Sequence, residues 1–191
     1  LCLIVVTVWF TRVGSTQGTV ILAVNTLLMQ FFILFSYFMD GFAFAGESLC
    51  GNSIGKQDIY ELNSTIKALF RWSAIMVIIF TVLYAVAGEW IMTLLSDDKD
   101  VISSSKEFFA WVIAIPAVGF AAFTWDGIFI GATRTREMLI SIAIATLVYF
   151  ALYSTLFGTL GNHGLWVAFL AYLLSRGLIL TFLRHRLVKA K

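Results

Sequence analysis

The chain has 191 residues, 60% of them hydrophobic and only 13% Asp, Glu, Lys or Arg, against roughly half and a quarter in soluble domains. With a mean hydropathy of +0.93, a water-soluble fold would have to expose large apolar patches, so the composition points to an integral membrane protein. The formal net charge of +2 says little by itself, and Cys2 and Cys50 have neither metal-ligand spacing nor a disulfide framework.

A membrane-spanning helix needs about 20 mostly apolar residues at 1.5 Å rise. The spacing predicts six helices, near 1–16, 19–50, 65–95, 106–133, 138–160 and 165–184, forming one bundle of three antiparallel hairpins over 1–191. The first segment is short. Leu1 already lies in an apolar run with no Met or signal peptide before it, so a piece of a longer chain is expected. The second and third segments exceed one bilayer thickness and should tilt or project into water. Between segments lie polar joints, "GSTQG", "GNSIGKQDIYELNS", "SDDKD", "TRTRE" and "GTLGNHG".

The second segment raises the main question, because "FSYFMDGFAFAGESLC" places Asp40 and Glu47 among Phe, Ala and Leu. An acid in the bilayer core costs at least ~2.5–3.5 kcal/mol on insertion scales and marks function by default. Counting back from Gly51, Asp40 lies roughly 16 Å and Glu47 about 6 Å inside the boundary. The two are seven residues apart and share a helix face, with Asn25, Thr26, Met29, Ile33, Ser36 and Phe44 within about 60° of it. That mixed stripe is expected to face a bundle interior or a water-filled cavity. Gln30 and Tyr37 join Asn25 as polar cavity or interhelical candidates.

The fourth segment repeats the theme: "FAAFTWDGIFIG" at 120–131 echoes "FSYFMDGFAFAG" at 35–46. Asp126 lies roughly 10 Å inside a boundary near Thr133. Gly127 with Gly131, and Gly41 with Ala45, form small-xxx-small pairs that allow close helix approach, and Pro116 permits a kink. The last segment holds Arg176, about 12 Å inside. It is expected to snorkel to the surface or to pair with Asp126 or Glu47.

Lys and Arg mark cytoplasmic loops. Lys56, Lys67, Arg71, Arg134, Arg136, Arg184, Arg186, Lys189 and Lys191 fall on one set of helix ends. Arg12, Lys99 and Lys106, mixed with five acids, fall on the other. Both termini are therefore expected to be cytoplasmic, with "SDDKD" and "GTLGNHG" outside.

The runs "TQGTVILAVNTLLMQFFILFSYFMDGFAFAGESLCGNSIGK", "LLSDDKDV", "WDGIFIGATRTREM" and "LGNHGLWVAFLAYLLSRG" resemble the multidrug and toxic compound extrusion (MATE) transporters, in particular their DinF-like branch. In order and spacing they look like the second, C-terminal six-helix bundle of that twelve-helix family. The resemblance implies half of a bacterial inner-membrane exporter, not an enzyme. Cationic amphipathic compounds would leave in exchange for H+ or Na+ by alternating access, with the N-terminal bundle as partner. It implies no catalytic residue and no cofactor beyond the coupling cation. In the NorM-like branch an acid on the seventh helix helps bind that cation, yet residues 1–16 contain none. Asp40 and Asp126 lie within the matching motifs.

Two other readings fit parts of the pattern. Lipid-linked sugar flippases of the same superfamily have a similar helix count, but their cavities tend to be strongly cationic. Membrane aspartyl proteases pair two intramembrane aspartates, but the glycines expected before one of them are missing from "TWD" and "FMD".

Overall fold

The computed structural model describes residues 2–187, so Leu1 and the tail residues Lys189 and Lys191 lie outside the described residues. Regular structure among the described residues is entirely helical: α1 (Cys2–Thr16), α2 (Thr19–Gly55), α3 (Ile59–Leu95), α4 (Lys99–Gly131), α5 (Thr135–Leu160) and α6 (Asn162–Leu183), closed by a 3-10 turn at Arg184–Arg186. Five helices are long and apolar enough to cross a membrane, and α1 is a shorter apolar helix. This is an all-α, multi-pass membrane protein.

α3 to α6 begin earlier than hydropathy alone predicts, and α2 runs further. At α3 and α4 the reason is that polar residues that read as loop are helix caps. Asp58 accepts from the Glu61 amide at 2.8 Å, which starts α3 at Ile59 and not at 65. Asp98 accepts from the amides of Asp100 and Val101 at 2.9 and 3.3 Å, which starts α4 at Lys99 and not at 106. Such caps satisfy amides that have no carbonyl four residues earlier. At the other ends, α2 and α4 stop in the same way. Gln57 (φ 58°) and Thr133 (φ 56°) take the left-handed conformation. The next amides, of Asp58 and Arg134, then reach back to the carbonyls of Ser53 and Phe129 at 3.0 and 2.9 Å. These are Schellman closures built without glycine. α4 runs through Pro116 without a break.

α4 and α6 form the centre of the bundle, and α3 and α5 are the least buried helices. The most extensive contacts are α2 on α4, then α5 on α6, then α4 on α6 and on α3. Glycine sets the α2–α4 approach. A Cβ on Gly127 would collide with the Ala43 carbonyl, and one on Gly131 with the Glu47 carbonyl. Gly46 and Gly51 face the same seam, where a Cβ would meet Ile128 N at 3.3 Å and Gly131 O at 3.2 Å. The α4 half of the expected small-residue pairing is therefore a helix contact. The α2 half is shifted: Gly41 looks into open space, and Ala43, Gly46 and Gly51 are the residues on the seam. Backbone–backbone proximity of this kind maximises dispersion contact, which lipid cannot replace with a hydrophobic drive of its own.

The joints α1–α2, α3–α4 and α5–α6 meet at one end of the bundle. Gln17 Nε2 reaches Asn162 Oδ1 at 3.4 Å, and His163 Nε2 lies 3.3 Å from Glu107 Oε1. The joints α2–α3 and α4–α5 and the terminal 3-10 turn lie at the other end.

Candidate functional site

Four successive residues of α4 tie it to three neighbouring helices. Thr124 Oγ1 donates to Ser73 Oγ on α3 at 2.9 Å, and Trp125 Nε1 donates to Thr181 Oγ1 on α6 at 2.7 Å. The Asp126 carboxylate accepts from Arg176 on α6, and Gly127 brings the α2 backbone into contact. Every residue from Ala122 to Phe129 is buried, as expected of a helix surrounded on all sides. The Asp-Gly sequence of α4 is thus a packing junction as well as a site of charge, whereas Gly41 of the α2 copy meets nothing.

Asp126 and Arg176 form a direct ion pair between α4 and α6, both buried at 9% and 7% exposure. Of the two acids offered to Arg176 by the sequence, the structure selects Asp126. One carboxylate oxygen, Asp126 Oδ1, and one guanidinium nitrogen, Arg176 Nε, are buried without a hydrogen-bond partner. Asp40 on α2 is half-buried and within electrostatic reach of Asp126. Two acids and one base therefore gather where α2, α4 and α6 meet.

The remaining sequence candidates separate. Asn25 is buried and exchanges two hydrogen bonds with Asn162, Nδ2 to Oδ1 at 2.8 Å and the reverse at 2.9 Å. Trp166 Nε1 adds a bond to Asn25 Oδ1 at 3.1 Å. Asn25 thereby joins α2 to α6, and it also borders the groove of about 410 Å³ between α1 and α2. Gln30 and Tyr37 are exposed, in a stripe on α2 with Thr26, Gly41, Phe44 and Ser48. Gln30 borders three open grooves. One, of about 580 Å³, lies against Ser96 and Asp98. Another, of about 410 Å³, lies against Thr7 and Thr11 of α1. The third, of about 250 Å³, lies against Tyr37 and Leu95.

Glu47 is exposed, so of the two settings expected for the α2 acids, a bundle interior or a water-filled cavity, the interior of this bundle is excluded for Glu47. The reason is geometric. The Glu47 main chain sits on Gly131, so its side chain has to leave the seam sideways. Asp40, about two turns nearer the middle of α2, stays at the margin of the packed face beside buried Met39.

Sequence reasoning missed several polar ties. Asn162 and His163 were read as loop residues of "GTLGNHG", yet they open α6 and are used at once. His163 Nδ1 accepts from Trp111 Nε1 at 3.0 Å, and its ring packs on Phe108. Because the indole can only donate, this bond puts the ring hydrogen on Nε2, which faces Glu107. The useful signal was an amide and an imidazole directly after a glycine, at a helix start. No group of three or more His, Cys, Asp or Glu converges as a metal cluster among the described residues.

Comparison with known proteins identifies the family of the chain. The MatE family model matches residues 1–155. DNA damage-inducible protein F of Escherichia coli (strain K12) is 38% identical over 176 residues, covering 92% of this chain and 38% of that protein. Protein DETOXIFICATION 42 of Arabidopsis thaliana is 19% identical over 87% of this chain and 32% of its own length. Protein DETOXIFICATION 45, chloroplastic, from the same plant, is 23% identical over 82% of this chain and 28% of its own length. The chain thus spans well under half the length of the curated relatives it matches. No solved structure gives a significant match.

Proposed function

This chain belongs to the MatE family, and on that premise we propose that it forms one six-helix half of a secondary active efflux transporter in the bacterial inner membrane. In this reading the other half is an N-terminal bundle of the same fold. The cargo is a cationic amphipathic compound, exchanged for H+ or Na+. The exposed α2 stripe with Gln30 and Tyr37 is one wall of the central cavity, and Asp40 lies at its margin. Both termini and the basic helix ends face the cytoplasm, from the Lys/Arg asymmetry.

The observation that carries this reading is the charge balance of Asp40, Asp126 and Arg176. With all three ionised the cluster keeps one negative charge, in a setting where every charge is costly. Arg176 answers Asp126, which leaves Asp40 to attract a cation from the open side. A proton or Na+ bound there weakens the hold on a cationic cargo. It shifts the inward–outward equilibrium only as far as its affinities for the two states differ. The unpartnered Asp126 Oδ1 gives the cluster a further acceptor. A flippase for pyrophosphate-linked sugars would call for the opposite balance. A protease would need Asp126 to share a proton directly with a second carboxylate, whereas its direct partner is Arg176 and Asp40 acts on it only through space. The names of the two plant relatives speak of detoxification, which accords with efflux.

The test is transport by the intact protein in proteoliposomes. A fluorescent organic cation should move against its gradient when a proton or sodium gradient is imposed, and stop when that gradient is collapsed. Transport that ignores both gradients, or that prefers an anionic lipid-linked sugar, would overturn the proposal.

A further inference from the structure

A cavity of about 590 Å³ opens at the end of the bundle opposite the Asn25–Asn162 latch, between the start of α3 and the end of α6. Its polar wall is Asn63, Ser64 and Lys67 of α3 with Arg184 and His185 of the terminal turn, and Trp125 reaches it from α4. Its apolar wall is Leu62, Ile66 and Leu187. No Asp or Glu lines it. The acids nearby are committed elsewhere: Asp58 caps α3, Glu61 pairs with Lys56 at 3.5 Å, and Glu137 pairs with Arg134 at 3.8 Å. Among the described residues Lys67 and Arg184 form no ion pair.

Basic residues scattered over a convex surface satisfy a topology rule and need no ligand. These converge on a concavity within the range of small-molecule sites, roughly 300–1,000 Å³. The floor is rigid, because Trp125 is pinned through Thr181 and its ring packs against Phe70 at 4.8 Å between centroids. His185 Nδ1 lies 2.9 Å from the Phe182 carbonyl and donates to it, which fixes the ring and leaves Nε2 as its other polar atom. From the cavity, the Lys67 side of α3 continues past the exposed Arg71 to an apolar ridge of Ile75, Ile78 and Val82. Cations, small hydrogen-bonding groups and an aromatic floor at a helix end, joined to an apolar track, suit a molecule with an anionic head and hydrocarbon tails.

We propose that this cavity binds the phosphate headgroup of an anionic phospholipid. Lys67 and Arg184 hold the phosphate, Asn63 and Ser64 meet the headgroup hydroxyls, and the acyl chains lie along the α3 ridge.

The experiment is native mass spectrometry of the intact transporter, titrated with phosphatidylglycerol or phosphatidylcholine, with inorganic phosphate as competitor. The wild type should retain one phosphatidylglycerol at least about tenfold more tightly than the Lys67→Gln/Arg184→Gln double variant, from the loss of two charge-assisted contacts. Phosphatidylcholine should not distinguish the two. Arg136→Gln, at the same end but outside the cavity, should bind phosphatidylglycerol like the wild type. Lys67→Arg/Arg184→Lys, which keeps both charges, should retain the lipid and shows that loss in the Gln variant is not misfolding. Equal phosphatidylglycerol retention by wild type and the Gln double variant overturns the proposal. So does displacement of the lipid by millimolar inorganic phosphate, which would assign the cavity to a soluble phosphate compound.

Discussion

The carboxylate of Asp126 on α4 and the guanidinium of Arg176 on α6 are each other's ionic partner inside the bundle, and each keeps one buried polar atom unpartnered. Breaking a buried pair from one side strands the other charge, at a cost of roughly 3–5 kcal/mol. Asp126→Asn and Arg176→Gln should therefore each lower thermal stability in detergent sharply. The double variant should recover most of the loss, because no charge is then left alone. Additive losses in the cycle would mean that the two groups do not depend on each other.

The α2–α4 seam offers a sharper steric test. Gly127 and Gly131 face backbone carbonyls, which cannot rotate away as a side chain can. Gly127→Ala should cost at least the roughly 1–3 kcal/mol of core overpacking, visible as a lower yield of monodisperse protein. Gly41→Ala should be harmless or slightly stabilising, since nothing lies within 4 Å of the added methyl and alanine favours helix by about 1 kcal/mol. Equal tolerance at Gly127 and Gly41 would contradict the seam.

At the opposite end, Asn25→Leu removes an acceptor and a donor from Asn162 and the acceptor of Trp166. A buried polar group left unpaired costs about 1–3 kcal/mol, so stability should fall by that order while dye transport per folded molecule is kept. A transport defect without a stability defect would give Asn25 a role in transport.

Much of this architecture is legible in the sequence because membranes impose a blunt rule: apolar runs of sufficient length are spans. The doubled "FMDG" and "TWDG" motifs likewise point to charge at depth. What hydropathy misreads is the helix end. Asp58 and Asp98 look like loop residues but work as caps, and Asn162 and His163 look like a turn but are already helix. The wheel also treats Asp40 and Glu47 as equivalent, seven residues apart on one face. Only the close seat of the Glu47 backbone on Gly131 separates them, and no local pattern encodes the position of another helix. The choice of Asp126 over Glu47 as partner of Arg176 follows from that same placement.

Topology can be read by labelling from outside with an impermeant thiol reagent, after replacing Cys2 and Cys50. Cysteines at Asp98 and Thr159 should react, and ones at Lys56 and Arg136 should not, because the basic ends face the cytoplasm. All four positions are exposed in the fold, so failure to label reports sidedness and not burial. The reverse pattern would invert the proposed orientation.

The central claim is that Asp40 supplies the uncompensated charge that couples a cation to efflux, and the most direct measurement is dye efflux by Asp40→Asn in the intact transporter at matched protein level. Asparagine keeps the size of the side chain and one acceptor oxygen, and replaces the charged oxygen with a neutral amide donor. Half-buried and outside the Arg176 pair, Asp40 can be neutralised without stranding a partner, so expression should stay near wild type. Gradient-driven efflux of a cationic dye should fall at least about tenfold, the weight of one charge contact near 1.4 kcal/mol. Efflux unchanged by Asp40→Asn, at equal protein and under the same gradient, would contradict the account.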